Sequence, residues 1–118
     1  MQRAVLTWSL FASLLVVGLV LIGISVPTLL SKVPPNGMYG FRTAHTMSDP
    51  KIWYAANVVA SRYTIACGAI MLLLATGLPF VSRIRSLSNR QIAYVGLVFE
   101  IVPPVLLVMA LLLYDRTL

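Results

Sequence analysis

Residues 4–30 read AVLTWSLFASLLVVGLVLIGISVPTLL, with no charged side chain between Arg3 and Lys32. Two more apolar runs follow. The first is YTIACGAIMLLLATGLPFV at 63–81, and the second is QIAYVGLVFEIVPPVLLVMALLLY at 91–114, whose one charge is Glu100. Each approaches or exceeds the roughly 20 apolar residues that a helix needs to cross bilayer hydrocarbon. Helices apolar on every face need a cover on every face, and a chain of 118 residues has nothing left over to supply it. Only 10% of the residues are charged, against about 25% in soluble domains. The bilayer is therefore the expected solvent. The predicted fold is an all-α membrane protein, one domain over residues 1–118, with three transmembrane helices spanning about 4–30, 54–81 and 91–114.

The ends of these runs carry the punctuation of helices. Arg3 precedes the first, but its apolar stretch is far longer than the roughly 7–15 residues of a signal-peptide core, so a retained span is expected. Ser48 is the expected N-cap of the second helix, with Asp49 and Pro50 in its first turn. That helix then starts with a polar extension over 49–62, and Trp53, Tyr54 and Tyr63 fit an aromatic belt at the membrane surface. Ser88, three residues before Gln91, forms a capping box for the third.

The net charge of +6 comes from nine Lys/Arg against three acids. The bases sit at the ends of apolar runs, where they meet lipid headgroups or set topology, and form no basic cluster interleaved with aromatics. No nucleic-acid partner is expected. Three spans put Arg3, Arg83, Arg85 and Arg90 on one side, and Lys32, Arg42, Lys51 and Arg116 on the other. The short loop 82–90 has three Arg and no acid, which predicts a cytoplasmic loop and N-terminus with the long loop outside. Cys67 is the only cysteine and His45 the only histidine, so neither a disulfide nor a zinc site within one chain is expected. No cofactor ligands and no Ser–His–Asp/Glu arrangement stand out, and a non-catalytic protein is expected.

The polar segment over 31–53, read as one long ordered loop between the first two helices, concentrates the unusual chemistry. Pro34-Pro35 stiffens the exit from the first span, and Asn36-Gly37 signals a tight turn. Gly40 permits a sharp bend or a close backbone approach. Arg42 offers a forked set of donors suited to carboxylate or phosphate. Trp53 and Asn57, four residues apart at the start of the second helix, share a face that Ala60 and Thr64 continue.

Residues 34–57, PPNGMYGFRTAHTMSDPKIWYAAN, resemble the signature of the SdpI family of small bacterial membrane proteins. The resemblance lies in Pro34 and Asn36, then Tyr39-Gly40-Phe41-Arg42-Thr43, then Thr46, Trp53, Ala56 and Asn57. It implies a helix–loop–helix–helix fold in the bacterial cytoplasmic membrane. It also implies protection against a secreted peptide toxin, and the sequestering of a transcriptional repressor at the membrane. On this reading Asn36, Tyr39, Gly40, Arg42, Thr43, Thr46, Trp53 and Asn57 are the candidate ligand- or partner-binding residues. A peptide toxin, a lipid headgroup or another anionic group is the expected ligand. The alternative is a structural accessory subunit whose loop docks into a larger membrane complex.

Two charged residues fall outside this motif. Glu100 lies well inside the third span, where an acid costs a few kcal/mol and marks function by default. Pro103 and Pro104 lack N–H groups and deprive the Phe99 and Glu100 carbonyls of helical donors. Arg62, in the second helix, is the other intramembrane polar candidate, too far along the bundle to pair with Glu100. Ser13 and Thr76 are closer in depth, and a protonated Glu100 bonded to one of these hydroxyls is the expected arrangement.

Overall fold

In the computed structural model, which describes residues 2–118, three helices form and no strand. They are α1 (Gln2–Leu29), α2 (Pro50–Ile84) and α3 (Asn89–Asp115). All three are long and apolar enough to cross a membrane. With 35 residues, α2 is about 52 Å long at 1.5 Å per residue, and it sets the 54 Å long dimension of the molecule. It therefore outreaches hydrocarbon about 30 Å thick. Its polar first turns stand above the apolar run, beside the long loop.

The caps differ from expectation at one point. Asp49, and not Ser48, is the N-cap of α2, and its carboxylate accepts the Lys51 N–H at 2.6 Å. The Ser48 hydroxyl instead donates to the His45 carbonyl at 2.6 Å. Pro50 starts the helix, where its missing N–H costs nothing. The Ser88–Gln91 capping box forms at α3 as the sequence predicts. At the end of α1, Ser31 takes φ 56°. Lys32 and Ser31 N–H groups then close onto the Pro27 and Thr28 carbonyls at 2.9 and 3.2 Å, a Schellman-type stop that turns the chain into the loop.

The packing centres on α1 and α2. Gly18 and Gly68 bring the two backbones into contact: a Cβ on Gly18 would lie 2.8 Å from the Gly68 carbonyl, and one on Gly68 2.7 Å from that of Gly18. Close approach through small residues is how helices gain dispersion energy in lipid. Leu14, Cys67, Met71, Ala75 and Leu78 form the core, with Phe99 and Leu107 of α3 against it. Helix α3 sits at Gly96, whose backbone lies under the Leu10 side chain. Ile92 and Gly96 are its buried residues. Most of its surface is apolar and outward, as lipid contact requires.

Candidate functional site

The chain between α1 and α2 folds onto the top of the bundle through a small set of side chains. Asn36 makes the first turn. Its Oδ1 accepts the Met38 and Tyr39 N–H groups at 2.8 and 2.7 Å, and its Nδ2 donates to the Pro34 and Tyr39 carbonyls at 2.8 and 2.9 Å. The Asn36 amide is thus committed to its own loop. Tyr39 ties that turn to α1 by donating its hydroxyl to the Ile24 carbonyl.

Gly40 follows at φ 119°. A Cβ there would lie 2.8 Å from the Trp53 ring and 2.9 Å from Asn57 Oδ1. Only glycine has both the dihedral freedom and the space. The reason for this close pass is Asn57, whose Oδ1 accepts the Phe41 N–H at 2.7 Å. The Asn57 Nδ2 donates to the Trp53 carbonyl at 3.0 Å and to that of Phe41 at 3.3 Å. Trp53 is fully buried and donates its indole N–H to the Val33 carbonyl at 2.8 Å. This corrects its expected place in an aromatic belt: Trp53 is the floor on which the loop rests. Tyr63 is exposed and meets Tyr114 edge to face, with ring centroids 6.3 Å apart.

The second half of the loop turns around Thr46, which has no exposed surface. Its hydroxyl accepts the Thr43 N–H at 2.8 Å and donates to the Phe41 carbonyl at 2.9 Å, while Thr43 Oγ1 accepts the Thr46 N–H at 3.1 Å. The two threonine hydroxyls between them meet three backbone groups of this turn.

A further residue enters that sequence reasoning missed. Asp115, the last residue of α3, accepts the Thr43 hydroxyl with Oδ1 and lies 3.0 Å from His45 Nδ1 with Oδ2. Beside it Phe41 stacks on Tyr114, with ring centroids 6.3 Å apart. The acid that meets the loop's polar groups is therefore Asp115, while Asp49 is occupied as the cap of α2. The signal was present in the sequence, since three spans return the end of α3 to the side of the loop.

Under this roof lies a cavity of about 290 Å³. Ser25 and Thr28 of α1, Asn57, Ser61 and Thr64 of α2, and Leu111 of α3 line its walls, with Tyr39, Phe41 and Arg42 at the loop side. The Thr28 and Ser61 hydroxyls meet at 2.6 Å, and each also reaches a carbonyl of its own helix. Arg42 is exposed. Among the described residues it has neither an ion-pair partner nor a hydrogen-bonded carbonyl. It lines the loop side of the cavity, and its five donors carry a permanent charge.

The structure brings Tyr39, Gly40, Arg42 and Asn57 together around this cavity, with Asn36, Thr43, Thr46 and Trp53 as the frame that holds them. It does not bring Arg62 or Glu100 there. Arg62 is exposed on α2. Glu100 Oε1 is shielded and has no hydrogen-bond partner. Ser13 and Thr76, the expected partners, are both exposed, and the Thr76 hydroxyl donates to the Leu73 carbonyl at 2.9 Å. Helix rotation explains the miss: Ser13 and Thr76 match Glu100 in depth, but both point outward.

The family model of the SdpI/YfhL protein family matches residues 32–114. No curated protein and no solved structure matches the chain. The matched stretch contains nearly all of the loop, α2 and nearly all of α3; the Ile24 carbonyl that accepts from Tyr39 lies before it, and Asp115 one residue beyond its end. With most of its 118 residues matched and the motif folded into one hydrogen-bonded unit, the chain belongs to the SdpI/YfhL protein family.

Proposed function

We propose that this small multi-pass membrane protein is a non-catalytic binding protein, and that its loop-roofed cavity takes an anionic group from the outer face of a bacterial cytoplasmic membrane. A peptide toxin carrying a carboxylate is the ligand that the family resemblance favours. The observation that carries this reading is Arg42: a forked, permanent cation at the mouth of a cavity whose other walls are hydroxyls and apolar groups, with no protein anion against it. The Asn57, Trp53 and Thr46 contacts fix the backbone on either side of Arg42, so little order is lost when a ligand binds. The three Arg of loop 82–90 support an orientation with the roof outside.

The test is a toxin-protection or ligand-binding assay on Arg42 variants. Arg42→Lys keeps the charge and loses the fork, so it should impair binding almost as much as Arg42→Ala. Equal function of Arg and Lys would reduce Arg42 to a surface charge and sink this reading.

The outward surface of α3 favours a second reading, an accessory subunit packed against other spans. Purification in mild detergent separates the two, because a stable co-purifying complex supports the subunit and a monomer or small oligomer the binding protein.

A further inference from the structure

The opposite end of the bundle carries a second concave surface, unconnected with the loop. Helices α1 and α2 border a groove of about 870 Å³, lined among others by Arg3, Thr7, Trp8, Phe11, Phe80 and Arg83. Its chemistry changes with depth. Arg3 and Arg83 lie at the helix ends. Phe11, eight residues into the span from Arg3, lies about 12 Å deeper. Arg3 donates to the Ser82 carbonyl, which pins it to the groove wall while leaving other guanidinium donors free. Arg83 is exposed and makes no hydrogen bond among the described residues. Below them Trp8 and Phe80 present 57% and 66% of their surface outward, so the groove has open aromatic walls. Trp8 meets Phe11 edge to face at 5.4 Å. No acid lines the groove: Asp49 and Asp115 belong to the other end of the bundle, and Glu100 to α3.

We propose that this groove is a binding site for an anionic phospholipid, with its phosphate held between Arg3 and Arg83 and an acyl chain laid against Trp8, Phe11 and Phe80. Two cations at headgroup level above an apolar slot match that amphiphile from end to end. Basic pockets between membrane helices take acidic headgroups for this reason. A free phosphate would use the arginines and ignore the aromatic walls. A helix of another chain would need an acid at the depth of Arg3 and Arg83, and this chain offers none there.

Quenching of tryptophan fluorescence by lipids with brominated acyl chains tests the site. Trp8 stands in the groove, whereas Trp53 is buried at the far end and gives a constant background. The full chain in detergent micelles is titrated with brominated phosphatidylglycerol or brominated phosphatidylcholine. Phosphatidylglycerol should quench at a clearly lower mole fraction. Loss of each arginine should weaken that preference about fivefold, so Arg3→Gln/Arg83→Gln should quench alike with both lipids. Arg85→Gln/Arg90→Gln, outside the groove, should keep the preference. Should the double variant lose helicity, Arg83→Gln alone carries the test, since Arg83 makes no hydrogen bond among the described residues. The proposal is overturned if wild type responds equally to the two lipids, if the Arg3/Arg83 variants keep the preference, or if the Arg85/Arg90 pair matters as much. Reversal of the preference by millimolar inorganic phosphate would make it a bare anion site and also overturn it.

Discussion

Asn57 Oδ1 accepts the Phe41 backbone N–H at 2.7 Å, and with the Trp53 indole bond to the Val33 carbonyl this contact ties the motif loop to α2. It joins a residue in the first turns of a membrane helix to the backbone of the residue that immediately precedes Arg42. The position of the cation is thereby set from inside the bundle.

Removing the Asn57 amide should therefore loosen the roof more than it disturbs the helices. Asn57→Ala leaves the Phe41 N–H unmet in a poorly hydrated place, at a cost of about 1–3 kcal/mol. The variant should keep its helical circular dichroism, melt earlier in detergent, and be cleaved faster within 38–47 in limited proteolysis. Unchanged cleavage would show that other contacts suffice.

A paired glycine test asks whether the loop's conformation or only its flexibility matters. Gly40 has φ 119° and no room for a Cβ, so Gly40→Ala should cost more than the 1–3 kcal/mol of backbone strain alone. A Cβ on Gly37 would meet nothing within 4 Å, and Gly37→Ala should stay within about 0.5 kcal/mol of wild type. Detergent melts of the two variants compare them directly. Similar losses would mean that the close pass of Gly40 over Trp53 is not formed.

The Thr43–Asp115 hydrogen bond joins the loop to the end of α3 across 72 positions of sequence. Thr43→Val and Asp115→Ala should each destabilise by about 1 kcal/mol. If the contact is direct, the double variant should lose clearly less than the sum of the two. Strict additivity in a double-mutant cycle would place the two residues apart.

Glu100 reverses the usual expectation for a deleted polar group. Its Oε1 is shielded without a partner, so Glu100→Leu removes a cost and breaks no bond. The leucine variant should be more stable than wild type by about 1–3 kcal/mol, and Glu100→Gln should fall below it. Had a hydroxyl of Ser13 or Thr76 met the acid, leucine would be the worse replacement. A destabilised leucine variant would therefore reveal such a partner.

The architecture could be read from the sequence because a bilayer leaves few alternatives. Uninterrupted apolar runs of spanning length must become helices, since no other open-ended structure satisfies its own backbone in hydrocarbon. The Ser88–Gln91 capping box and the Trp53–Asn57 face were equally legible, because each depends on spacing within one helix. Gly40 was legible as a place of close approach, though not what it approached.

What the sequence could not supply was rotation and pairing across elements. Depth along a helix follows from counting residues, but facing follows from how the helices cross, and the Gly18–Gly68 contact decides that crossing. Ser13 and Thr76 have the right depth for Glu100 and the wrong facing. Trp53 reads locally as an interface anchor and becomes a buried floor only because the loop folds back onto it. Asp115 reads as the polar end of a span and becomes a loop contact only because α3 ends beside Thr43 and His45. Periodicity within one helix says nothing about such meetings, which exist only once three helices have packed and their ends have come to lie side by side.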